Sequence, residues 1–167
     1  MASDTHVTGL KELQAFLDAL PAKMEKNIMR SALRAGANVV KVEAQQQLAS
    51  HGNVKTGLLS KGLKVSTRAK RGLVTATVKA KGKHGRIAHW IEFGTAAHTI
   101  AGKDGKALVF AGGVYKAVHH PGIRPAPFMR PALDGKSGAA VVAVGEAIKA
   151  RLTKQGLDAS SVEIDEQ

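Results

Sequence analysis

HWIEFGT at residues 89–95, ALVF at 107–110 and VYKAVHHPGIRPAPFMRPALD at 114–134 decide how this chain folds. An apolar run anchored by Trp90 stops at Phe93-Gly94, which predicts a strand or a short helix over 87–93. Residues 94–106 hold three glycines and no packing pattern, and predict a mobile loop. Two short apolar runs, 107–110 and 114–118, flank Ala111-Gly112-Gly113 and predict a hairpin. A Pro-bounded, extended bridge over 119–127 then leads into a final helix, about 127–153, headed by Phe128, Met129 and Leu133. A sheet edge, a loop and a docking helix are parts of an assembly protein rather than a catalytic constellation.

Working outward, Leu10, Leu13, Leu17 and Leu20 recur at helical spacing between Thr8 and Pro21, predicting a short amphipathic helix over 9–20. Residues 22–50 predict a long one. Ile28, Ala32, Ala35, Val39 and Val42 form its apolar stripe, widened by Met29, Leu33, Gly36 and Val40. Asn27, Arg30, Arg34, Asn38, Lys41 and Gln45 line its wet face. Gly36 costs a helix up to about 1 kcal/mol against Ala, so a neighbouring backbone is expected to pass close by. Residues 62–69 and 72–80 flank Lys70-Arg71-Gly72 as a second hairpin. Leu73, Thr75, Thr77 and Lys79 share one face of its second strand; Val74, Ala76 and Val78 share the other. In the final helix Leu133, Ala140, Val144, Ile148 and Arg151 mark one side, with Val141 and Leu152 beside them, and Gly135 and Gly138 are expected to bend it. Residues 157–167 read as a frayed acidic tail. Helices, then strands, then a helix predict an α+β fold: N-terminal helices, an antiparallel hairpin-rich sheet over about 57–120, and a C-terminal helix packed on it, in a single domain spanning 1–167.

Aromatic residues make up only 4% of the 167, so small aliphatic side chains must build most of the core. Such side chains bury little area each, and the chain is expected to gain stability by association. Cysteine is absent, which excludes disulfides and thiolate metal sites and fits assembly in a reducing cytoplasm. Met1 to His6 is polar and lacks a signal core, and no stretch approaches a membrane span. The net charge of +12 is concentrated: residues 61–136 carry 15 basic and 3 acidic side chains. Such a field suits phosphate or an acidic protein surface.

Chemical sites are sparse. His84, His89, His98, His119 and His120 lack carboxylates at ligand spacing, and adjacent strand residues point to opposite faces, so no metal is expected. His120, before Pro121-Gly122, fits a turn. Glu92 sits in an apolar run without a second acid or nucleophile beside it; an ion pair with Arg86, Arg124 or Arg130 is the expected partner. Gly94, Gly102 and Gly105 precede no Gly-Lys-Ser/Thr and form no phosphate loop. Lys61, Lys64, Arg68, Lys70, Arg71, Lys79, Lys81, Lys83 and Arg86 suit phosphate contact, but only Trp90 could stack a base, so contact with nucleic acid would be sequence-blind.

Trp90-Ile91-Glu92-Phe93-Gly94-Thr95, then His120-Pro121-Gly122, then Pro127-Phe128-Met129-Arg130-Pro131-Ala132-Leu133 resembles, in order and spacing, the phage tail-component family. These are small head–tail joining or tail-completion proteins of long-tailed bacteriophages and prophages. The resemblance is strongest over 86–134, and the helices followed by Thr56-Gly57-Leu58-Leu59 also fit. It implies a structural neck protein of the virion, assembled in the host cytoplasm, with no enzymatic activity and no cofactor. It implies a homo-oligomeric ring, a hexamer, contacting head-closure or connector proteins and the tail terminator or tube, with non-specific DNA contact in the lumen and no membrane. Fold-defining positions under this reading are Trp90, Glu92, Phe93, Gly94, His120, Pro121, Gly122, Pro127, Phe128, Arg130 and Pro131. Assembly candidates are Lys79, Lys81, Lys83, Arg86, Thr95, His98, Lys103 and Asp104. A sequence-independent nucleic-acid-binding protein is the alternative, and a His-dependent nuclease a third.

Overall fold

A computed structural model describes residues 14, 18, 22–52, 56–82 and 84–155. The helix expected over 9–20 lies outside the described residues except for Gln14 and Asp18, which are helical; Lys83 and the tail 157–167 also lie outside. The elements are α1 (Ala22–Ser50), α2 (Leu58–Gly62), β1 (Leu63–Lys70), β2 (Leu73–Ala80) and α3 (His84–Phe93). They continue with β3 (His98–Ala101), a 3-10 turn (Lys103–Gly105), β4 (Leu108–Phe110), β5 (Gly113–Tyr115), β6 (Ala117–His120) and α4 (Met129–Thr153). The fold is α+β, and among the described elements a long helix leads and a helix closes the order.

The buried positions of α1 are Ile28, Ala32, Gly36, Val40, Ala44 and Leu48, a strict four-residue series. Four residues overshoot one turn by about 40°, so the buried stripe winds around the helix. Its two ends therefore face different neighbours. Ile28 and Ala32 pack with Ile148 and Leu152 of α4; Val40, Ala44 and Leu48 pack with Leu63, Phe128 and Ala132. Val42, expected on the stripe, is exposed because the stripe has rotated past it. At the crossing, a Cβ on Gly36 would lie 2.6 Å from the Ala140 carbonyl oxygen and from Val144 Cγ2, which is the close backbone approach the glycine predicts.

β1 and β2 pair antiparallel from Leu63↔Ala80 to Lys70↔Leu73 around a two-residue turn. Arg71 and Gly72 both have positive φ (52° and 79°), as a type I′ hairpin turn demands. The face bearing Val74, Ala76 and Val78 turns inward and packs on α1; Thr75, Thr77 and Lys79 are exposed.

Of the two alternatives for residues 87–93 the chain takes the helix, within α3; a short apolar run cannot be assigned by periodicity alone. Three expectations need correction. The strands form three two-stranded sheets, β1–β2, β3–β6 and β4–β5, rather than one, and α3 separates the first from the others. The loop 94–106 contains β3, paired with β6 from His98↔His120 to Ala101↔Ala117. In α4, Leu133 and Arg151 are exposed, and Ala132, Gly138, Gly145, Ile148 and Leu152 are the buried positions. The bend expected from Gly135 and Gly138 falls between them, at Lys136 (φ −129°, ψ 16°). It rotates the first turns of the helix relative to the rest.

Candidate assembly surfaces

The body of the molecule and the segment 95–127 meet at a built junction. Glu92, on the last turn of α3, reaches the start of α4. Its Oε2 accepts from the Phe128 and Met129 N–H groups at 2.8 and 2.9 Å, and its Oε1 from Arg130 N–H at 3.0 Å. A helix start leaves four N–H groups without intrahelical partners. Here three go to one carboxylate, and the fourth position is Pro131, which has none. Burial would raise the Glu92 carboxyl; the three backbone donors and the Arg130 charge outweigh it and hold the group below the usual carboxylate range. The expected partner was an arginine; the actual partner is the N-terminus of α4, whose dipole favours an anion.

Beside this clamp the chain is stitched at the root of the segment. Thr95 and Ile123 exchange backbone bonds (3.0 and 3.1 Å), and Ala126 N–H donates to the Ile91 carbonyl at 2.8 Å. Gly94 has φ 72°, and a Cβ there would sit 2.5 Å from the Ile123 carbonyl oxygen and 2.9 Å from the Pro125 ring. Gly122 (φ 87°) likewise leaves no room for a Cβ against the Thr95 carbonyl. His120 Nδ1 accepts from Gly122 N–H at 3.0 Å, and the His98 and His120 rings stack with centroids 5.0 Å apart. Glu92, Gly94, Thr95, His98, His120 and Gly122 thus come together at one junction, with Phe128 fully buried beneath it. Among the described residues, no group of three or more His, Cys, Asp or Glu is placed to hold a metal ion.

Beyond the junction, residues 95–127 make a projecting arm. Its two hairpins pack mainly on themselves. None of its described side chains is buried. Val109 and Val114, directly opposed across β4–β5, are 76% and 72% exposed. Lys103 and Asp104 lie on the 3-10 turn, away from the junction, and are exposed.

Trp90 departs most from expectation. It is 44% exposed, because the inner face of α3 is supplied by Ala88 and Ile91. With Ile87 and Phe93 it forms an apolar outer face. Next to it an open groove of about 830 Å³ runs between α1, β2, α3 and α4. Leu33, Val40, Phe93, Leu133 and Val141 are among its apolar walls, and its charged lining residues are Glu92 and Arg130. The sequence marks the place without its exposure: a chain this poor in aromatics sets Trp90 and Phe93 three residues apart, next to a helix stop.

The outer face of the β1–β2 hairpin is basic. Lys64 stands directly opposite Lys79, and Arg68 and Lys70 follow on the same exposed face. Arg71 and Lys81 extend it at the two ends, and Arg86 is exposed on α3. Like charges directly opposed across strands are destabilising. Among the described residues the one ion pair within 4.0 Å is Lys149–Glu146, on α4, so no described carboxylate pairs with this cluster.

Comparison with known proteins gives one match. The family described as "Bacteriophage HK97-gp10, putative tail-component" matches residues 11–94, half of the chain. It covers α1, α2, the β1–β2 hairpin and α3, ending at the root of the arm; it overlaps the 86–134 stretch only at 86–94. No curated protein and no solved structure matches the chain. No helix among the described residues is long and apolar enough to cross a membrane. The chain therefore belongs to the HK97-gp10-like family of bacteriophage tail components, and is a structural protein of the phage tail.

Proposed function

We propose that this tail component works in the neck of a long-tailed phage, as a homo-oligomeric ring that completes the tail and joins it to the head. One observation carries the reading: large apolar side chains stand together on the surface of α3, on the groove and at the β4–β5 tip. Ile87, Trp90, Phe93, Leu133, Val109 and Val114 are all exposed. A chain this poor in aromatics gives up core to do so. Scattered exposed residues are ordinary, but clustered ones mark surfaces that other subunits cover. Six copies is the stoichiometry proposed. Head-closure or connector proteins on one side and the tail terminator or tube on the other are the neighbours proposed, with no cofactor and no catalytic role.

The basic hairpin face, which no described carboxylate pairs, favours one addition: it meets phosphate or an acidic neighbour in the assembled neck. A protein acting only through that face would be a sequence-blind nucleic-acid binder, with affinity falling steeply with salt. Native mass spectrometry and electron microscopy of the purified protein separate the readings. A closed ring that is stable at high salt is the expected result. A monomer at every concentration that binds any DNA at low salt would replace the ring with the nucleic-acid reading.

A further inference from the structure

We propose that the β4–β5 tip of one protomer seats in the groove between α1, β2, α3 and α4 of the next copy of this chain. The inference rests on the ring reading and names the two surfaces that mate. Three observations select a second copy as the occupant.

First, the tip lacks a surface of its own. A two-stranded hairpin is marginal in water unless something packs on it. Yet β4–β5 presents Val109 and Val114 side by side, mostly exposed.

Second, charge leaves few places where two copies can touch. Every copy carries +12, and like copies repel across their basic faces. Residues 107–115, ALVFAGGVY, carry no charge. The groove's charged lining residues are Glu92, already satisfied by three N–H donors, and Arg130. These are neutral surfaces on a basic molecule, and both are apolar.

Third, tip and groove are different surfaces of the same chain. Their contact is head-to-tail, the kind that closes into a ring when the rotation per subunit allows. A self-complementary patch would give a two-fold dimer instead. The clamp at Glu92 and the Thr95–Ile123 stitch hold the arm's root to the rim of the groove. No residue of 95–127 lines that groove in its own subunit, which leaves the groove for the neighbour's tip.

The chain has no cysteine, so thiols can be placed cleanly. Val114→Cys on the tip and Leu133→Cys in the groove are made separately, mixed, and treated with a short bismaleimide. Thr75→Cys, on the outer hairpin face, replaces Leu133→Cys as the control. Seating holds tip and groove thiols at roughly millimolar effective concentration, so the mixture should give about tenfold more covalent dimer than the control pair. The double variant should give a ladder ending at the ring size. Native mass spectrometry on the same samples reports whether a ring is present. A ring without tip–groove cross-links above control overturns the inference and leaves the ring reading standing. A fast-migrating, internally linked monomer from the double variant also overturns it, since the tip would then fill its own groove. Absence of any oligomer removes the ring reading and the inference together. As an independent arm, Val109→Ser with Val114→Ser should abolish the ring with the urea midpoint of the monomer unchanged; a ring of normal stability contradicts the proposal.

Discussion

The body and the arm are held by different forces. In the body, α1, α4 and the β1–β2 hairpin bury Ile28, Leu48, Phe128 and Leu152 almost completely. In the arm, residues 95–127, no described side chain is buried, and order rests on strand hydrogen bonds, positive-φ turns at Asp104-Gly105 and Ala111-Gly112, and the stitched root. The body has a buried core. The arm has geometry without a core among its described side chains, and its apolar tip is the surface proposed to seat on a neighbour.

The sharpest check on the body's side of this contrast is to truncate two of its aromatics, one buried and one exposed. Phe128→Ala empties the site under the junction and should cost about 3–5 kcal/mol of unfolding free energy. Trp90→Ala removes a larger ring but should cost far less, because much of that ring is exposed. Urea denaturation followed by circular dichroism measures both. Equal losses would mean that Trp90 is a core residue after all, and that α3's outer face is not free for partners.

Next in size is the clamp. Glu92→Gln loses the charge that three N–H groups share and should destabilise by about 1–2 kcal/mol at neutral pH. The sign with pH follows from the lowered folded pKa. The contribution is fully present above the unfolded value, about 4.3, and is lost as pH falls through the folded one. The gap between wild type and variant should therefore stay constant near neutrality and close in acid. A gap that persists unchanged to the lowest pH would show that shape rather than charge is at stake.

The smallest expected effect has the opposite sign. Lys79→Glu, facing Lys64, replaces a repulsive cross-strand pair with an attractive one and should stabilise by about 0.2–1 kcal/mol. If the basic face meets phosphate or an acidic neighbour, the same variant should assemble into fewer joined particles. A more stable protein with normal particle yield would reduce that face to a solvated surface.

Much of the body was legible in the sequence because its rules are local. The periodicity that begins at Ile28 and Ala32 and the alternation of β2 follow from packing on one side. The stripe expected through Ala35, Val39 and Val42 is buried instead through Gly36, Val40, Ala44 and Leu48. The bend near Gly135 follows from local helix weakness. The junction was legible only as residue names. Glu92 stood out as a carboxylate in an apolar run, but its partners are backbone N–H groups 36 to 38 residues away, which carry no sequence signature. The nearby arginines drew the expectation instead. β3 was missed for the opposite reason. His98–Ala101 packs on no core, so neither face selects apolar residues and no alternation is written. The same lack of selection made Trp90 look like an anchor. In a chain with one Trp, composition says the residue matters, not whether it faces inward or toward a neighbour.

Hydrogen exchange in the free subunit and in the proposed ring tests the contrast between body and arm most directly. Amides of α1 and α4 should be protected in both states. Amides of β4 and β5, close to the low-stability end of local opening in the free subunit, should slow on the order of tenfold or more on assembly. Equal and strong protection of Val109 and Val114 in the dilute monomer and in the ring would contradict the account, because the arm would then be complete without a partner.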